Sequence, residues 1–396
     1  MGCFAALAMT ICFAALGGGA ARADSAVFRD AAQRALLNAN IVGIMTGGRG
    51  GMYSRMGADL SALLDDRSNT TPFRVLVMLG RGSLANIDDV QNVRGVDVAL
   101  VQSDVLASLS PQDYQMLRGR MRYIAALHGE DIHILAGEGI NSLQDLEGKR
   151  VNVDVPGSGS NLTGHTLFAR LGIHPAFDES ATTQARAKLL NHELDAMVFV
   201  VGKPAAAFTE IQLGDALKAH LHFLPVPEDA PGLEIYKQAT LTAADYPSLI
   251  RPGDSVPTRK VQAVMAVFAW DAARAQNPAA QLRYAVVKNF VDKFFASAAK
   301  LHDPGYAPTW CEVDLAASVP GWDRFEAASE WLAAHKGAET RICPDAMPAP
   351  PPPVPACDAA FRTEMKNAAG VDPDLAKPFW QDRFADWKAK AGSACR

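Results

Sequence analysis

Short apolar runs alternate with glycine- or serine-rich turns and helical segments through most of this chain, and that alternation constrains its fold class. Residues 40–45 (Asn-Ile-Val-Gly-Ile-Met) read as a strand. A glycine loop follows at 46–51, and 53–64 then sets Met56, Leu60, Leu63 and Leu64 at helical spacing. The pattern returns, with strands expected over 73–79, 97–102, 123–127, 131–136, 151–155 and 196–201 and helices over 84–93 and 162–171. Short strands that are apolar throughout, most of them followed by a helix or a turn, argue for parallel sheets covered on both faces. Further on, 261–269 reads as another strand, 279–301 as a long amphipathic helix and 321–335 as a shorter one.

The chain has 396 residues, 49% of them apolar, enough for two cores of ordinary size. Its formal net charge of −5 argues against a broad nucleic-acid surface. Residues 3–16 are almost unbroken apolar sequence, closed by Gly17-Gly18-Gly19 and followed by Ala21-Arg22-Ala23. That is the layout of a secretory signal peptide, with cleavage expected after Ala23 and a soluble, periplasmic product. Neither Cys3 nor Cys12 follows the residues expected before a lipid-modified cysteine. No later segment is long and apolar enough to cross a bilayer.

The other four cysteines all lie in the last quarter: Cys311, Cys343, Cys357 and Cys395. An exported protein would oxidise them, and four cysteines allow three pairings. Six prolines in 348–355 form a stiff linker. Beyond it, Phe361 and Met365 mark one helical face and Trp380, Phe384 and Trp387 another, which suggests a helical hairpin. Cys357 and Cys395 flank that hairpin, so a Cys357–Cys395 pair is favoured, which leaves Cys311–Cys343. The spacings are wide and lack a CxxC, so they argue against metal.

Catalytic patterns are missing from the sequence: no GxxxxGK[ST], HExxH or GxSxG occurs, and no pair of carboxylates stands out. An enzyme is therefore not expected, and no cofactor is implied. His128 and His133 lie five apart, across a strand, and are expected on opposite faces as ordinary structural residues. Four loops at the carboxyl ends of strands remain: 46–53, 102–104, 156–160 and 202–203. Ligands of open α/β sheets bind at such ends. Two of these loops lead straight into helices, whose free N–H groups favour an anion, and Ser158 and Ser160 add hydroxyls. The plainer reading is that the glycines only make tight turns. Two such loops in two halves of the chain favour a cleft bridged by a small carboxylate.

The same residues carry a resemblance to a family. The stretch Thr46-Gly47-Gly48-Arg49-Gly50-Gly51-Met52-Tyr53 resembles the first glycine motif of the TAXI (TRAP-associated extracytoplasmic immunogenic) solute-binding proteins. In the family's order follow Ala99-Leu100-Val101-Gln102-Ser103-Asp104, the INSLQDLEGKRVNV segment at 140–153, the Gly157-Ser158-Gly159-Ser160 loop, and the strand at 194–202. The resemblance covers 40–301 and leaves the C-terminal quarter outside. It implies a type II periplasmic-binding-protein fold: two α/β lobes closing on a small ligand, here with a small helical, disulfide-stapled C-terminal extension.

The implied division is a signal peptide at 1–23, a first lobe at 24–136, a second at 137–239, a return to the first at 240–345, the linker at 346–356 and the extension at 357–396. The implied ligand is a small dicarboxylate or amino acid, glutamate- or 2-oxoglutarate-like, handed by a monomer to a TRAP-type membrane permease. The implied cradle is Thr46, Gly47, Gly48, Arg49, Gly50, Gly51, Met52 and Tyr53, with Gln102 and Ser103, in the first lobe. Ser158, Gly159 and Ser160 serve the second. Arg49 and Lys203 depart from the family pattern; each could pair a ligand carboxylate or stand solvated at the rim. A ligand-sensing or interaction protein using the same cleft is the alternative, motivated by the linker and extension.

Overall fold

A computed structural model describes residues 30–49, 51–68, 72–270 and 277–344, together with Phe361 and Phe384. Helix α1 (Ala31–Ala39) opens on a capping box: the Asp30 carboxylate accepts from Gln33 N, and the Gln33 side chain accepts from Asp30 N. Strand β1 (Ile41–Met45) then enters the sheet and α2 (Met52–Leu64) covers it, burying Met56, Leu60 and Leu64 on one face. Strand β2 (Arg74–Met78), helix α3 (Ser83–Asn92) and strand β3 (Val98–Gln102) complete a first parallel group in the order β2-β1-β3. Helix α4 (Pro111–Arg120) is capped by Ser110, with Pro111 in its first turn where no N–H is needed.

Strand β4 (Met121–Ala136) runs sixteen residues without a break. After it, β5 (Arg150–Asn152), α5 (Gly159–Leu171), β6 (Ala176–Asp178), α6 (Thr182–Leu190) and β7 (Ala196–Val201) build a second parallel group in the order β7-β5-β6. Two short helices, α7 (Ala206–Thr209) and α8 (Leu213–Lys218), and strands β8 (His222–Phe223) and β9 (Lys237–Thr242) lead to β10 (Ser255–Phe268). Helices α9 (Pro278–Ser297) and α10 (Glu326–Ala334) then pack back on the first group.

The sheet order is β2-β1-β3-β10-β4-β7-β5-β6, so the two parallel groups are joined by the long antiparallel pair β10 and β4. Parallel pairing was expected throughout; the two joining strands make the sheet mixed. The pair also divides the core. Leu127 of β4 and Ala263 of β10 belong to an apolar cluster with Val42, Phe290, Phe294 and Trp310. Ile132 of β4 and Val261 of β10 belong to another, with Val151, Leu167 and Val198. These are two α/β lobes threaded by the same two strands.

That threading corrects one expectation. The sequence reading has two strands, 123–127 and 131–136, with His128-Gly129-Glu130 between them. The strand continues through the interruption with a register shift at 127–128, after which Gly129 stands opposite Gln262 and Glu130 opposite Val261. The polar residues sit where the strand leaves one core and has not yet entered the other.

Cys311 and Cys343 form a disulfide, with Cα atoms 4.8 Å apart. The Cys357–Cys395 pair, the signal peptide and the proline linker lie outside the described residues. Of the extension only Phe361 and Phe384 are described, and their rings lie 5.1 Å apart.

Candidate functional site

The carboxyl ends of β1 and β3 bring the first-lobe residues to one place. Thr46 follows β1; it is buried, and its hydroxyl donates to Met78 O at 2.8 Å. Gly47 lies against Tyr53, where a Cβ would come 3.4 Å from the tyrosine Cβ. Gly48 accepts from Gly51 N at 3.1 Å, and Gly51 caps α2, with Met52 and Tyr53 in its first turn. Gly48 and Arg49 are exposed, and Gly50 lies outside the described residues.

From α2, Tyr53 points inward. It is 7% exposed, and its hydroxyl donates to Glu130 Oε2 at 3.1 Å. Gln102, the last residue of β3, donates its amide to the same oxygen at 2.8 Å. Its own carbonyl oxygen accepts from Ser83 Oγ at 3.4 Å and Thr163 Oγ1 at 3.2 Å. Ser103 takes part through its carbonyl, which accepts from Trp322 Nε1 at 3.1 Å.

Helix α5 supplies the opposite wall. Ser158 is its N-cap and accepts from Asn161 N at 3.1 Å, and Ser160 accepts from Val200 N at 2.9 Å. Both are buried. Gly159 lies so close to Gln102 that a Cβ would come 2.3 Å from Oε1. Thr163, one turn on, also donates to Asp104 Oδ2 at 2.8 Å, and Tyr236 donates to the same oxygen at 2.9 Å. Thus Gln102 and Asp104, from the first parallel group, meet Gly159, Thr163 and Tyr236, from the second.

Burial sets the electrostatics of this seam. It pushes the Asp104 carboxyl up to about 6, against the hydrogen bonds from Thr163 and Tyr236, which favour the charged form. It also raises the Tyr53 hydroxyl well above its usual range, reinforced by Glu130, and raises that of Tyr236, reinforced by Asp104. His128 is fully buried beside Tyr53, ring centroids 6.1 Å apart, with Nε2 3.5 Å from Glu130 Oε1. The opposite side of β4 carries Asp131, pushed up to about 6 by burial although Lys260 and Lys203 pull it down.

The expected residues are therefore only partly gathered. Tyr53 and Gln102 meet at Glu130 and Gly159 packs against Gln102, whereas the hydroxyls of Thr46, Ser158 and Ser160 are engaged within their own lobes. Lys203 does not lie free at a rim: Nζ is 3.2 Å from Asp245 Oδ2 and also donates to Thr240 O. His128 and His133 do part, as expected from their spacing. His133 sits in an aromatic cluster with Phe208, Phe223 and Tyr246, and burial lowers it to about 4.

Sequence reading missed Ser83, Glu130, Thr163 and Tyr236 as seam residues, and it placed Asp104 in a candidate loop without giving it a role. Ser83 carried one readable hint, the preceding Arg81-Gly82 turn; its φ of 35° is a costly conformation for a residue other than glycine, held here by full burial. A separate cavity of about 910 Å³ opens on the second lobe, lined by residues of 138–141, 213–223 and 247–256.

Against known proteins, the model of the NMT1-like family matches residues 44–293. Among solved structures, the periplasmic binding protein BugD is 15% identical, over 74% of this chain and 93% of its own, with a TM-score of 0.41. The periplasmic sulfonate-binding protein SsuA from Methylobacillus flagellatus KT is 9% identical, over 89% and 96%, with a TM-score of 0.38. A TctC solute-binding protein from Polaromonas is 17% identical, over 65% and 88%, with a TM-score of 0.33.

Proposed function

The chain belongs to the NMT1-like family, and from that premise we propose that it is a periplasmic solute-binding protein of the TAXI type. It captures a small organic acid or amino acid between its lobes and delivers it, as a monomer, to a TRAP-type permease. It binds without turnover. The signal peptide ends at Ala23, and the lobes follow the limits 24–136, 137–239 and 240–345.

One observation carries this reading: Gln102 at the end of β3 and Gly159 at the start of α5 touch across a seam, and among the described residues β4 and β10 are the strands that run through both lobes. Two strands make a hinge, and a solute held on both sides of the seam selects the closed form. The glycine loop at 46–53, Gln102, Ser103 and 158–160 form the cradle, with Arg49 at its margin; Lys203 would have to leave Asp245 to join it.

A thermal-shift screen of small carboxylates and amino acids tests the reading. A ligand at a hundredfold excess over its Kd stabilises by about 2.7 kcal/mol, a shift that is easily read. A melting temperature indifferent to every compound would refute capture of a small acid. Isothermal titration of a hit should give one site per chain and no product.

A further inference from the structure

Asp104 belongs to one lobe and takes its hydrogen bonds from the other. It lies in the short turn Ser103–Ser108 after β3, where Val105 and Leu106 join an apolar cluster with Met45 and Val101 of the first lobe. Thr163 of α5 and Tyr236, both of the second lobe, donate to its Oδ2 at 2.8 Å and 2.9 Å. The residue is 4% exposed. Its other oxygen, Oδ1, is buried and accepts no hydrogen bond from the described residues.

The groups that face Asp104 do not offset its charge. Glu130 of β4 is a second carboxylate at the seam and repels the ionised form. Tyr53 of α2 and Tyr236 bring hydroxyls that burial and these two carboxylates keep protonated. His128 stands beside Glu130, Nε2 3.5 Å from Oε1, and Arg170 acts on Tyr236 while donating to Gly232 O. Helix α4 packs on the same turn, but its Asp113, Arg118 and Arg120 are exposed. The stretch of β10 paired with β3, 263–267, is apolar. Among the described residues no lysine or arginine forms an ion pair with Asp104.

A carboxylate buried there as an anion keeps much of its desolvation cost. A neutral carboxyl avoids it, and the two oxygens are already divided for that form. Oδ2 goes on accepting from Thr163 and Tyr236, while Oδ1 is free to carry the hydrogen. With the lobes apart both donors leave, water returns, and Asp104 ionises as an ordinary carboxyl does. We propose that closing the lobes takes up one proton, held on Asp104 Oδ1, so that acid tightens the seam and neutral pH loosens it. The proton comes from solvent on closing and goes back to solvent on opening. The inference rests on the proposed motion of two lobes about a hinge, and it holds whichever solute they enclose.

Burial holds the carboxyl at about 6 in the closed form, against the ordinary 3.8. The closed form thus binds the proton more tightly, and closure becomes about tenfold more favourable at pH 5 than at pH 7.5. Hydrogen exchange on the unliganded full chain, corrected for the intrinsic pH dependence of exchange, tests this. Gly82 of the first lobe covers the amide of Gly159, a Cβ there coming 3.5 Å from Gly159 N, so the segment 157–163 reports contact across the seam. Leu60 and Phe290, inside one core, are the references. Protection of 157–163 relative to them should rise about tenfold from pH 7.5 to pH 5. Asp104→Asn, uncharged and still able to accept from Thr163 and Tyr236, should show at pH 7.5 the protection that the unaltered protein reaches at pH 5, with no further rise. A merely structural Asp104 would instead lose protection on that change. A segment that opens more readily than the references, but equally at both pH values, would overturn the inference and leave the hinge standing. So would an Asp104→Asn protein that keeps the original pH dependence. A segment as slow as the references at every pH would mean that the lobes do not part, and would overturn both. The comparison on the unaltered protein decides the matter even if the variant fails to fold.

Discussion

Adding a single methyl group at Gly159 separates closure of the lobes from stability of either lobe. Gly159 is the first residue of α5, and a Cβ there would come 2.3 Å from Gln102 Oε1, 2.6 Å from its Cδ and 2.8 Å from its Nε2. A surface glutamine would swing aside at little cost. Gln102 is 2% exposed and tied at both ends, to Glu130 through its amide and to Thr163 and Ser83 through its oxygen. Moving it breaks at least the bond to Glu130, and a hydrogen bond to a carboxylate is worth about 1.5–3 kcal/mol. Overpacking of a buried contact costs a similar 1–3 kcal/mol or so. With the lobes apart the same methyl meets no glutamine, so the cost falls on the closed form. Gly159→Ala should therefore weaken solute binding roughly 5- to 150-fold, at about 1.4 kcal/mol per factor of ten. The melting temperature of the unliganded protein should fall less than in Gly164→Ala, five residues along the same helix. That methyl meets Val153 Cγ1 at 2.7 Å inside one lobe and cannot be relieved by opening. Isothermal titration and a melting curve on both variants make the test. Wild-type affinity in Gly159→Ala would refute the idea that the Gln102–α5 contact belongs to the bound state.

Two further outcomes follow from buried chemistry. Asp104 has its carboxyl raised from the ordinary 3.8 to about 6, so its contribution to stability is complete below about pH 4 and lost as pH rises through about 6. The window is worth about 3 kcal/mol, and Asp104→Asn should flatten the pH dependence of the melting temperature there; a slope equal to wild type would show that Asp104 is not the group responsible. The Cys311–Cys343 disulfide closes a loop with a sequence separation of 32, for which chain entropy gives about 3–4 kcal/mol. The double change to serine should lower the denaturant midpoint accordingly, and a loss below about 1 kcal/mol would mean that α9 and α10 hold this region without the bond.

Much of the fold was legible because its signals are local. β7 falls at 196–201 as its apolar run indicated, and β1 and α2 each lie within one residue of the expected limits. The glycine and serine loops between them mark where backbone must turn and a helix must be capped, and Ser158 does cap α5. Less legible were β6, with only three residues, and β9, which is half exposed and, among the described residues, pairs with β10 alone. Neither offers a sustained apolar period. Their place comes from the neighbour they pair with, which is tertiary information. The same applies to the antiparallel sense of β4 and β10, since local pattern does not say which way a partner runs.

The seam was only half legible, and the missing half has a common cause. Thr46, Gly159 and Ser160 announce themselves by sitting in loops at strand ends. Glu130 sits in the middle of a strand, 77 residues from Tyr53 and 28 from Gln102, and Asp104 lies 132 residues from Tyr236. Read along the chain, His128-Gly129-Glu130-Asp131 is a polar gap between two apolar runs, and a gap reads as the end of a strand. Read through the two cores, the gap is required. A strand that serves both lobes must cross the space between them, and there a side chain such as that of Glu130 faces the seam instead of either core. Burying polar groups mid-strand costs too much inside a core unless every one is paired. At the crossing they can be paired by groups at the edge of a lobe, as Gln102 and Tyr53 of the first lobe pair Glu130. A polar interruption of three or four residues inside an apolar run too long for one core is thus itself a signature of a hinge strand. The residues within it are the first to examine for contact with whatever the two lobes enclose.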